Sequence, residues 1–324
     1  MLTHRRTVNN RVSLTELGMG VAQFGNLHRE TTDEESTAAV AAAWAKGIRY
    51  FDTAPHYGLG LSERRLGAAL APFPRDEYVV STKVGRVLVP SPETADTSDP
   101  SGFLVPADVR REWDFSRDGI LRSLESSLLR AGLDRIDVVY LHDPDDHFEA
   151  ASTTGVEALI ELRDQGVISA IGAGMNQSAM LAELVRRCDI DLVMVAGRFT
   201  LLDQDALDDL VPTAADRGIS IVVAAIYNSG ILSSDRVAIK ALFNYETTPD
   251  VLRDRVIAIS HVCERFGVHL PEAAVAYPLR NPAVASVVVG MRTSGQVESN
   301  VARYLTEIPE DLWAELLRLG LIAA

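Results

Sequence analysis

Residues 47–67 read Gly-Ile-Arg-Tyr-Phe-Asp-Thr-Ala-Pro-His-Tyr-Gly-Leu-Gly-Leu-Ser-Glu-Arg-Arg-Leu-Gly, and this stretch decides the fold. The apolar and aromatic run Ile48–Phe51 predicts a short buried strand. Asp52 follows at its carboxyl end, Tyr57 lies in the next loop, and Ser62 with the glutamate after it indicates the start of a helix. Polar side chains just beyond the carboxyl end of a parallel strand are typical of α/β active sites.

The rest of the chain alternates strands with helices in the same way. We predict eight strands, at Leu14–Gly20, Ile48–Phe51, Tyr78–Thr82, Asp137–Leu141, Val167–Ile171, Leu192–Val195, Ile219–Ala225 and Val284–Val289. The helices between them are predicted from a cap at Asp33 to Trp44, from Ser62, from a cap at Ser116 to Leu129, and at Val156–Arg163, Ala179–Cys188, Ala206–Arg217, Val251–Phe266 and Gln296–Leu305, with a further helix at 309–320. With no break in composition, the pattern predicts one α/β domain over residues 1–324, a (β/α)8 TIM barrel.

Two long connections interrupt this alternation. Residues 84–113 form a long loop rich in Pro, Ser and Asp, and a second insertion precedes the helix at Val251. Long loops inside compact domains usually serve function. We therefore expect residues 84–113 to cover the substrate side of the barrel.

The composition narrows the possible partners. A net charge of −14 argues against a nucleic-acid partner, which requires a concentrated basic surface, and gives no attraction to an anionic membrane. Cys188 and Cys263 are expected to pack as small apolar side chains rather than to form a disulfide or a metal site. Because no signal-like or membrane-spanning run is present, we expect a cytoplasmic protein that acts on a small molecule.

Four side chains with complementary chemistry follow the second, third and fourth predicted strands: Asp52, Tyr57, Lys83 and His142. In a barrel these strand ends surround one opening, so the four can meet there. An ammonium beside a phenol favours the phenolate, a carboxylate holds the ammonium in place, and an imidazole orients a substrate oxygen. Together they predict a proton relay that interconverts a carbonyl and an alcohol without a metal.

The same residues resemble a known family. The motif Asp-(x)4-Tyr followed by Gly-x-Ser-Glu-x-x-Leu-Gly, together with the order of the four polar residues, is similar to the signature of the aldo-keto reductases. The resemblance covers nearly the whole chain. It implies a (β/α)8 barrel that transfers hydride between a nicotinamide cofactor and a small substrate, with Asp52, Tyr57, Lys83 and His142 as the catalytic residues.

The resemblance also implies three groups of cofactor contacts. Gly172, Gly174 and Asn176 correspond to the segment that holds the nicotinamide carboxamide; Tyr227, Asn228, Ser229 and Gly230 to the loop around the pyrophosphate; and Gly290, Arg292, Gln296 and Asn300 to the segment around the adenosine. Two places depart from the family pattern. Gly174 and Met175 replace the usual serine of the carboxamide segment, and Ala196 and Phe199 stand where a glutamine and a tyrosine are usual.

The adenosine segment bears on the choice between NAD and NADP. Members that prefer NADP hold its 2′-phosphate with a lysine and an arginine, at positions that here carry Gly290 and Gln296. A phosphate needs charge-assisted donors, and Arg292 is the cation that remains in this segment. The resemblance therefore implies NAD, with NADP as the alternative.

Three segments are most similar to the branch of the family that oxidises free aldoses, such as L-fucose or D-threo-aldoses, at C1. They are Trp113–Asp118, Gly172–Gln177 and Tyr227–Leu232. Members that oxidise pyridoxal are a near alternative, and a general aldehyde or ketone reductase is another. Residues 84–113 and Tyr227 are expected to decide which substrate binds.

Other functions remain open from the residues alone. Gly172-x-Gly174 could start a Rossmann fingerprint, although Gln177 replaces its third glycine. The run His142-Asp143-Pro144-Asp145-Asp146-His147, joined by His56, could bind metal in a barrel hydrolase, but that leaves Tyr57 and Lys83 without a role. A regulatory module that binds nicotinamide without turnover is the non-enzymatic alternative.

Overall fold

A computed structural model describes residue 2, residues 4–235, 242–243 and 246–323. Eight parallel strands close into a barrel and pair in chain order, with the eighth against the first. They are β1 (Leu17–Gly20), β2 (Tyr50–Asp52), β3 (Val79–Val84), β4 (Val138–His142), β5 (Ala170–Met175), β6 (Leu192–Ala196), β7 (Ser220–Ala224) and β8 (Val284–Gly290). The predicted (β/α)8 barrel is confirmed.

Helices surround the barrel. They are α1 (Asp33–Lys46), α2 (Leu61–Leu70), α3 (Arg117–Ala131), α4 (Val156–Asp164), α5 (Ser178–Arg187), α6 (Leu210–Arg217), α7 (Asp250–Arg265), α8 (Leu270–Leu279), α9 (Ser294–Leu305) and α10 (Glu310–Arg318). Their apolar faces pack on the outer side chains of the strands, where one large buried cluster forms. None of the helices in the described ranges is long and apolar enough to cross a bilayer.

The first two helices begin within a residue or two of the predicted positions, but the residues that cap them differ from those predicted. Thr32, not Asp33, caps α1: its side chain accepts a hydrogen bond from the Glu35 N–H, and the Glu35 carboxylate accepts one from the Thr32 N–H. In α2, Ser62 and Glu63 do not cap. Ser62 donates to the Val21 carbonyl over 2.7 Å, and Glu63 is buried between other side chains, so the motif ties the helix to the barrel.

The predicted strand Leu14–Gly20 was wrong as a single element. Val12–Thr15 pairs antiparallel with Arg5–Val8, and only Leu17–Gly20 enters the barrel. The hairpin buries Val8, Val12 and Leu14 against inward-facing barrel residues such as Tyr50 and Tyr140. It therefore covers the end of the barrel opposite the strand ends that carry the polar residues. The hairpin was not predicted, because its few alternating apolar residues give no distinct strand pattern in the sequence.

Two later predictions were also misplaced. The fifth strand is Ala170–Met175 rather than Val167–Ile171, so Gly172 and Gly174 lie inside it. A Cβ on Gly172 would lie 1.8 Å from the Leu192 carbonyl oxygen, so the strand depends on glycine at this position. The helix predicted at Ala206–Arg217 is a short 3-10 turn, Asp205–Leu207, followed by α6.

Helix α8 was not predicted. It is apolar on nearly every side and carries Pro271 in its first turn and Pro278 inside, so it shows neither a helical period nor a clean start. The insertion predicted before α7 lies partly outside the described residues.

The long loop at 84–113 is built on an antiparallel hairpin, Arg86–Pro90 with Val109–Trp113. Its tip returns to the barrel, where Phe103 bridges to Leu27 and the His28 N–H donates to the Gly102 carbonyl over 3.0 Å. The loop thereby roofs the carboxyl ends of the strands. We call residues 84–113 the lid.

Candidate active site

A cavity of about 530 Å³ opens at the carboxyl ends of the strands, beneath the lid. All eight strands contribute to its wall, through Gly20, Asp52, Lys83, His142, Met175, Ala196, Ala224 and Gly290. The lid adds Ser101 and Phe103. The four polar residues expected to meet at one opening do line this one cavity.

Lys83 and Asp52 form a buried ion pair on neighbouring strands. The Lys83 Nζ is 2.7 Å from Asp52 Oδ2 and 2.9 Å from the Thr53 carbonyl oxygen, and the two side chains are 3% and 5% exposed. The other carboxylate oxygen accepts from the Ser81 hydroxyl over 2.7 Å. Burial alone would lower the pKa of Lys83, but Asp52 and Tyr57 outweigh it and raise that pKa, so the lysine stays charged.

Tyr57 lies above this pair. The Lys83 ammonium lies 4.9 Å from the centroid of the phenol ring. Burial raises the pKa of Tyr57, and the opposing effect of Lys83 is smaller. The lysine therefore acts in the direction expected from the sequence but does not reverse the effect of burial. In the protein alone, Tyr57 is a protonated phenol, a proton donor to a carbonyl.

His142 completes the wall at the end of β4. Its ring meets that of Tyr57 nearly at a right angle, with 5.9 Å between centroids. Burial, then the charges of Arg86 and Lys83, hold the pKa of His142 well below its usual range, so the imidazole is neutral. Its buried Nδ1 has no hydrogen-bond partner among the described residues. A neutral imidazole here can orient a substrate oxygen by hydrogen bonding.

A second polar group lies in the same wall, and sequence reasoning considered two of its members, His56 and Asp143, only as possible metal ligands. His56, Arg86 and Asp143 connect through Arg86, whose Nη2 is 2.5 Å from Asp143 Oδ2 and whose Nη1 is 3.3 Å from His56 Nδ1. Asp143 directly follows His142, and His56 directly precedes Tyr57, so adjacency to the catalytic motif was the available signal. Arg86 is not adjacent to the catalytic motif in the sequence. The lid hairpin brings it to this wall, so adjacency could not identify it.

Three of the predicted cofactor residues line the cavity: Gly174, Asn176 and Gly290. The Asn176 amide donates to the Ala196 carbonyl over 3.3 Å. A Cβ on Gly290 would lie 2.4 Å from the amide nitrogen of Gln23, another cavity residue. Any side chain at position 290 would therefore have to displace Gln23.

The remaining predicted cofactor residues lie outside the cavity wall: Gly172, Tyr227, Asn228, Ser229, Gly230, Arg292, Gln296 and Asn300. Asn228 is buried, accepts from the Thr200 hydroxyl and donates to the Gly197 carbonyl, which joins two loops. The Tyr227 hydroxyl donates to Asn300 over 2.6 Å, linking the loop after β7 to α9. The cofactor roles of these residues stay predictions.

Ala196 and Phe199, the two residues at and after β6 that depart from the family pattern, lie in different surroundings. Ala196 lines the cavity, whereas Phe199 is buried elsewhere and packs edge-on against Tyr277, with 5.8 Å between ring centroids. Met194, Ala196, Ala224 and Ala225 give that side of the cavity an apolar surface of modest side chains. A flat ring can lie against such a surface.

The hypothesis of a metal-dependent hydrolase finds no ligand set in the described part of the chain. There, no group of three His, Cys, Asp or Glu side chains is placed to hold an ion. His147 packs instead on Trp113, with 4.9 Å between ring centroids. The Rossmann hypothesis is excluded by the closed barrel, since Gly172 and Gly174 lie within one of its strands.

Comparison with known proteins agrees with this fold. The sequence model of the Aldo/keto reductase family matches residues 16–319, and the chain belongs to that family. It is 47% identical to D-threo-aldose 1-dehydrogenase of a Pseudomonas species over 96% of this chain and 95% of that one. It is 34% identical to pyridoxal 4-dehydrogenase of Microbacterium luteolum over 96% of each.

A solved structure is also similar. The holo form of an aldo-keto reductase from Bacillus halodurans has a TM-score of 0.75 and 25% identity, and the similarity covers 97% of this chain and 95% of that one. The protein is an oxidoreductase that acts on alcohol and aldehyde groups of small molecules with a nicotinamide cofactor.

The cavity fits a nicotinamide ring. The small apolar side chains of β6 and β7 offer a flat surface, and the Asn176 side-chain oxygen, which has no hydrogen-bond partner among the described residues, can pair with a carboxamide. His142 also lines the cavity, so its imidazole provides a polar position for a substrate oxygen. The residues therefore provide both a place for the ring and a place for the group that reacts with it.

Proposed function

We propose that the protein oxidises the anomeric carbon of a free aldose, such as L-fucose or a D-threo-aldose, to a lactone with NAD. The similarity to D-threo-aldose 1-dehydrogenase, 47% identical over nearly the full length of both chains, carries the proposal. The polar wall of the cavity supports it, because a sugar presents several hydroxyl groups that need hydrogen-bond partners.

The reaction removes a proton from the C1 hydroxyl and a hydride from C1, which leaves a carbonyl at C1 and gives the lactone. Tyr57 takes the proton in our proposal, since the Lys83 ammonium beside it stabilises the phenolate that must form first. Asp52 holds the lysine through the 2.7 Å ion pair. His142, neutral and in the cavity wall, orients the substrate oxygen. A bound nicotinamide supplies the hydride acceptor.

Oxidation of pyridoxal is the second candidate. It is favoured by the 34% identity to pyridoxal 4-dehydrogenase, again over nearly the full length of both chains. The lower identity places it behind the aldose. A regulatory module without turnover is less well supported, because the ion pair, the phenol and the neutral imidazole share one cavity.

The test is a substrate screen with the purified protein. Free aldoses that include L-fucose and the D-threo sugars, together with pyridoxal, are supplied with NAD, and NADH formation is followed at 340 nm while the product is identified by mass spectrometry. We expect the highest kcat/KM with an aldose and a lactone as the first product. A preference for pyridoxal, or turnover of none of these compounds, would contradict the proposal.

The preference for NAD over NADP rests on how the cations near the adenosine segment are bonded. Arg292 is buried and donates to the Leu27 and Arg29 carbonyls and to the Thr31 hydroxyl, over 2.6–2.8 Å. Arg303, further along α9, donates to the Tyr227 hydroxyl and the Ser233 carbonyl over 3.1 Å each. Both guanidinium groups are therefore already held by protein acceptors, and a 2′-phosphate would have to share their N–H donors with these partners.

We therefore expect kcat/KM with NAD to exceed that with NADP by about tenfold or more, because a hydrogen bond to a charged group contributes about 1.5–3 kcal/mol. The measurement is kcat/KM for both cofactors with one good aldose. Preference for NADP would contradict this expectation. If NADP were preferred, loss of that preference in Arg292→Ala or Arg303→Ala would identify the cation that binds the 2′-phosphate. The exposed Arg29→Ala is the control and should not change the preference.

A further inference from the structure

Asp143 occupies an unusual and well-fixed position in the cavity wall. It follows the last residue of β4 with a left-handed backbone, φ 41°, and its N–H donates to the Gly174 carbonyl over 2.9 Å. A non-glycine residue in this conformation costs free energy, and such residues cluster at functional sites. The backbone therefore holds the Asp143 side chain at one point beside His142.

Only one of the two carboxylate oxygens of Asp143 has a hydrogen-bond partner among the described residues. Oδ2 accepts from Arg86 Nη2 at 2.5 Å and lies 3.6 Å from His142 Nε2. Oδ1 has no hydrogen-bond partner among the described residues, and the side chain is 31% exposed where it lines the cavity. A carboxylate oxygen fixed by an arginine on its other side is a strong acceptor for a hydroxyl group.

His56 offers the complementary donor. Arg86 Nη1 is 3.3 Å from His56 Nδ1, and a guanidinium can only donate, so Nδ1 must be the unprotonated nitrogen. Burial, with the charges of Arg111 and Arg86, lowers the pKa of His56 to about 2, so the ring is neutral and its single proton is on Nε2. Nε2 has no hydrogen-bond partner within the described ranges, and His56 also lines the cavity.

We propose that Asp143 and His56 together bind one hydroxyl of the aldose other than the reacting one, with Arg86 as the residue that positions both. A hydroxyl donates one hydrogen bond and accepts others, so it matches a carboxylate oxygen and an imidazole N–H on the same wall. The rings of His56 and His142 are 5.5 Å apart between centroids, so this site adjoins the one for the reacting oxygen. The assignment deepens the proposed function and rests on it.

The expected consequence is discrimination among sugars. An aldose that lacks this hydroxyl leaves the Asp143 oxygen and the His56 N–H unpaired beneath the bound sugar, and polar groups cut off from water are costly to leave unsatisfied. The hydroxyl does not react, so it is held equally in the ground state and the transition state. Its loss should therefore raise KM more than it lowers kcat.

The test is a cycle of paired deletions in enzyme and substrate. The best aldose and its monodeoxy derivatives are assayed with the wild type, with Asp143→Asn and with Asp143→Gly. Glycine adopts the left-handed backbone readily, so it separates the carboxylate from the backbone strain. Asp146→Asn, an exposed aspartate of the same loop, is the matched control.

We expect the wild type and Asp146→Asn to prefer the parent sugar over one monodeoxy derivative by about 30-fold in kcat/KM, the order expected when a hydrogen bond to a charged group is lost. In Asp143→Gly that preference should fall below about threefold, and in Asp143→Asn, whose amide oxygen still accepts a hydrogen bond without the charge, it should lie between that value and the wild-type value. An unchanged preference in Asp143→Gly, or no preference in the wild type, would overturn this assignment and leave the proposed function standing. A wild type that oxidises no aldose would instead refute the proposed function, and this assignment with it.

Discussion

Replacing Tyr57 with phenylalanine is expected to lower kcat for aldose oxidation by about 10³-fold, while the affinity for NADH changes little. General acid–base catalysis contributes about 10²–10⁴-fold, and the phenol oxygen that makes the contact is lost while the ring is kept. The proton transfer belongs to the transition state, so the loss should appear in kcat and kcat/KM alike. Steady-state kinetics and a fluorescence titration with NADH measure the two quantities.

Tyr78→Phe is the matched control for this variant. Tyr78 is also buried, but it packs among Trp44, Phe51 and Arg75 on the outer side of the barrel, away from the cavity. The Tyr78→Phe variant should therefore keep wild-type turnover. Turnover near that of the wild type in Tyr57→Phe would show that another group accepts the proton.

Replacing Lys83 with methionine is expected to reduce oxidation near neutral pH by about 10³-fold and to move its pH dependence. Oxidation requires the phenolate of Tyr57, and burial already raises the pKa of that phenol. Activity should therefore rise with pH in the wild type. Removing the ammonium, which opposes the effect of burial, raises the pKa further, so the rising limb should shift to higher pH in the variant. The measurement is kcat/KM from about pH 6 to 10.5, a range that extends just past the ordinary pKa of tyrosine, about 10.

Stability has to be separated from catalysis in this variant. Lys83→Met leaves the Asp52 carboxylate buried without its cation, which costs about 3–5 kcal/mol. The double variant Asp52→Asn with Lys83→Met removes both charges, so it should regain much of the free energy of unfolding without regaining turnover. A double variant that recovered both would show that the pair serves only the fold.

The barrel and its catalytic group were predictable because both depend on local sequence. The run before Asp52 indicates a buried strand, and Lys83 and His142 directly follow the strands predicted at Tyr78–Thr82 and Asp137–Leu141; in the structure they lie at the carboxyl ends of β3 and β4. Parallel strands in a closed barrel bring such ends together whatever their separation in the chain. The convergence of these residues on one cavity therefore followed from the strand pattern.

What the sequence did not predict depends on contacts between distant segments. Arg86 reaches His56 and Asp143 only because the lid folds back over the barrel. Arg292 was expected near a phosphate, but its guanidinium is bonded to the loop after β1, more than 260 residues away in the chain. Gly172 was expected in a cofactor-binding segment but lies inside a strand. Glycine is required there because a neighbouring backbone leaves no room for a side chain.

The central claim, oxidation of an aldose at C1, is tested most directly by the fate of the hydrogen on that carbon. An aldose carrying deuterium at C1 is oxidised with NAD, and both products are analysed by mass spectrometry. We predict one deuterium in each molecule of reduced cofactor and none on C1 of the lactone. Reduced cofactor without deuterium, or an oxidised product that keeps the label on C1, would contradict the account.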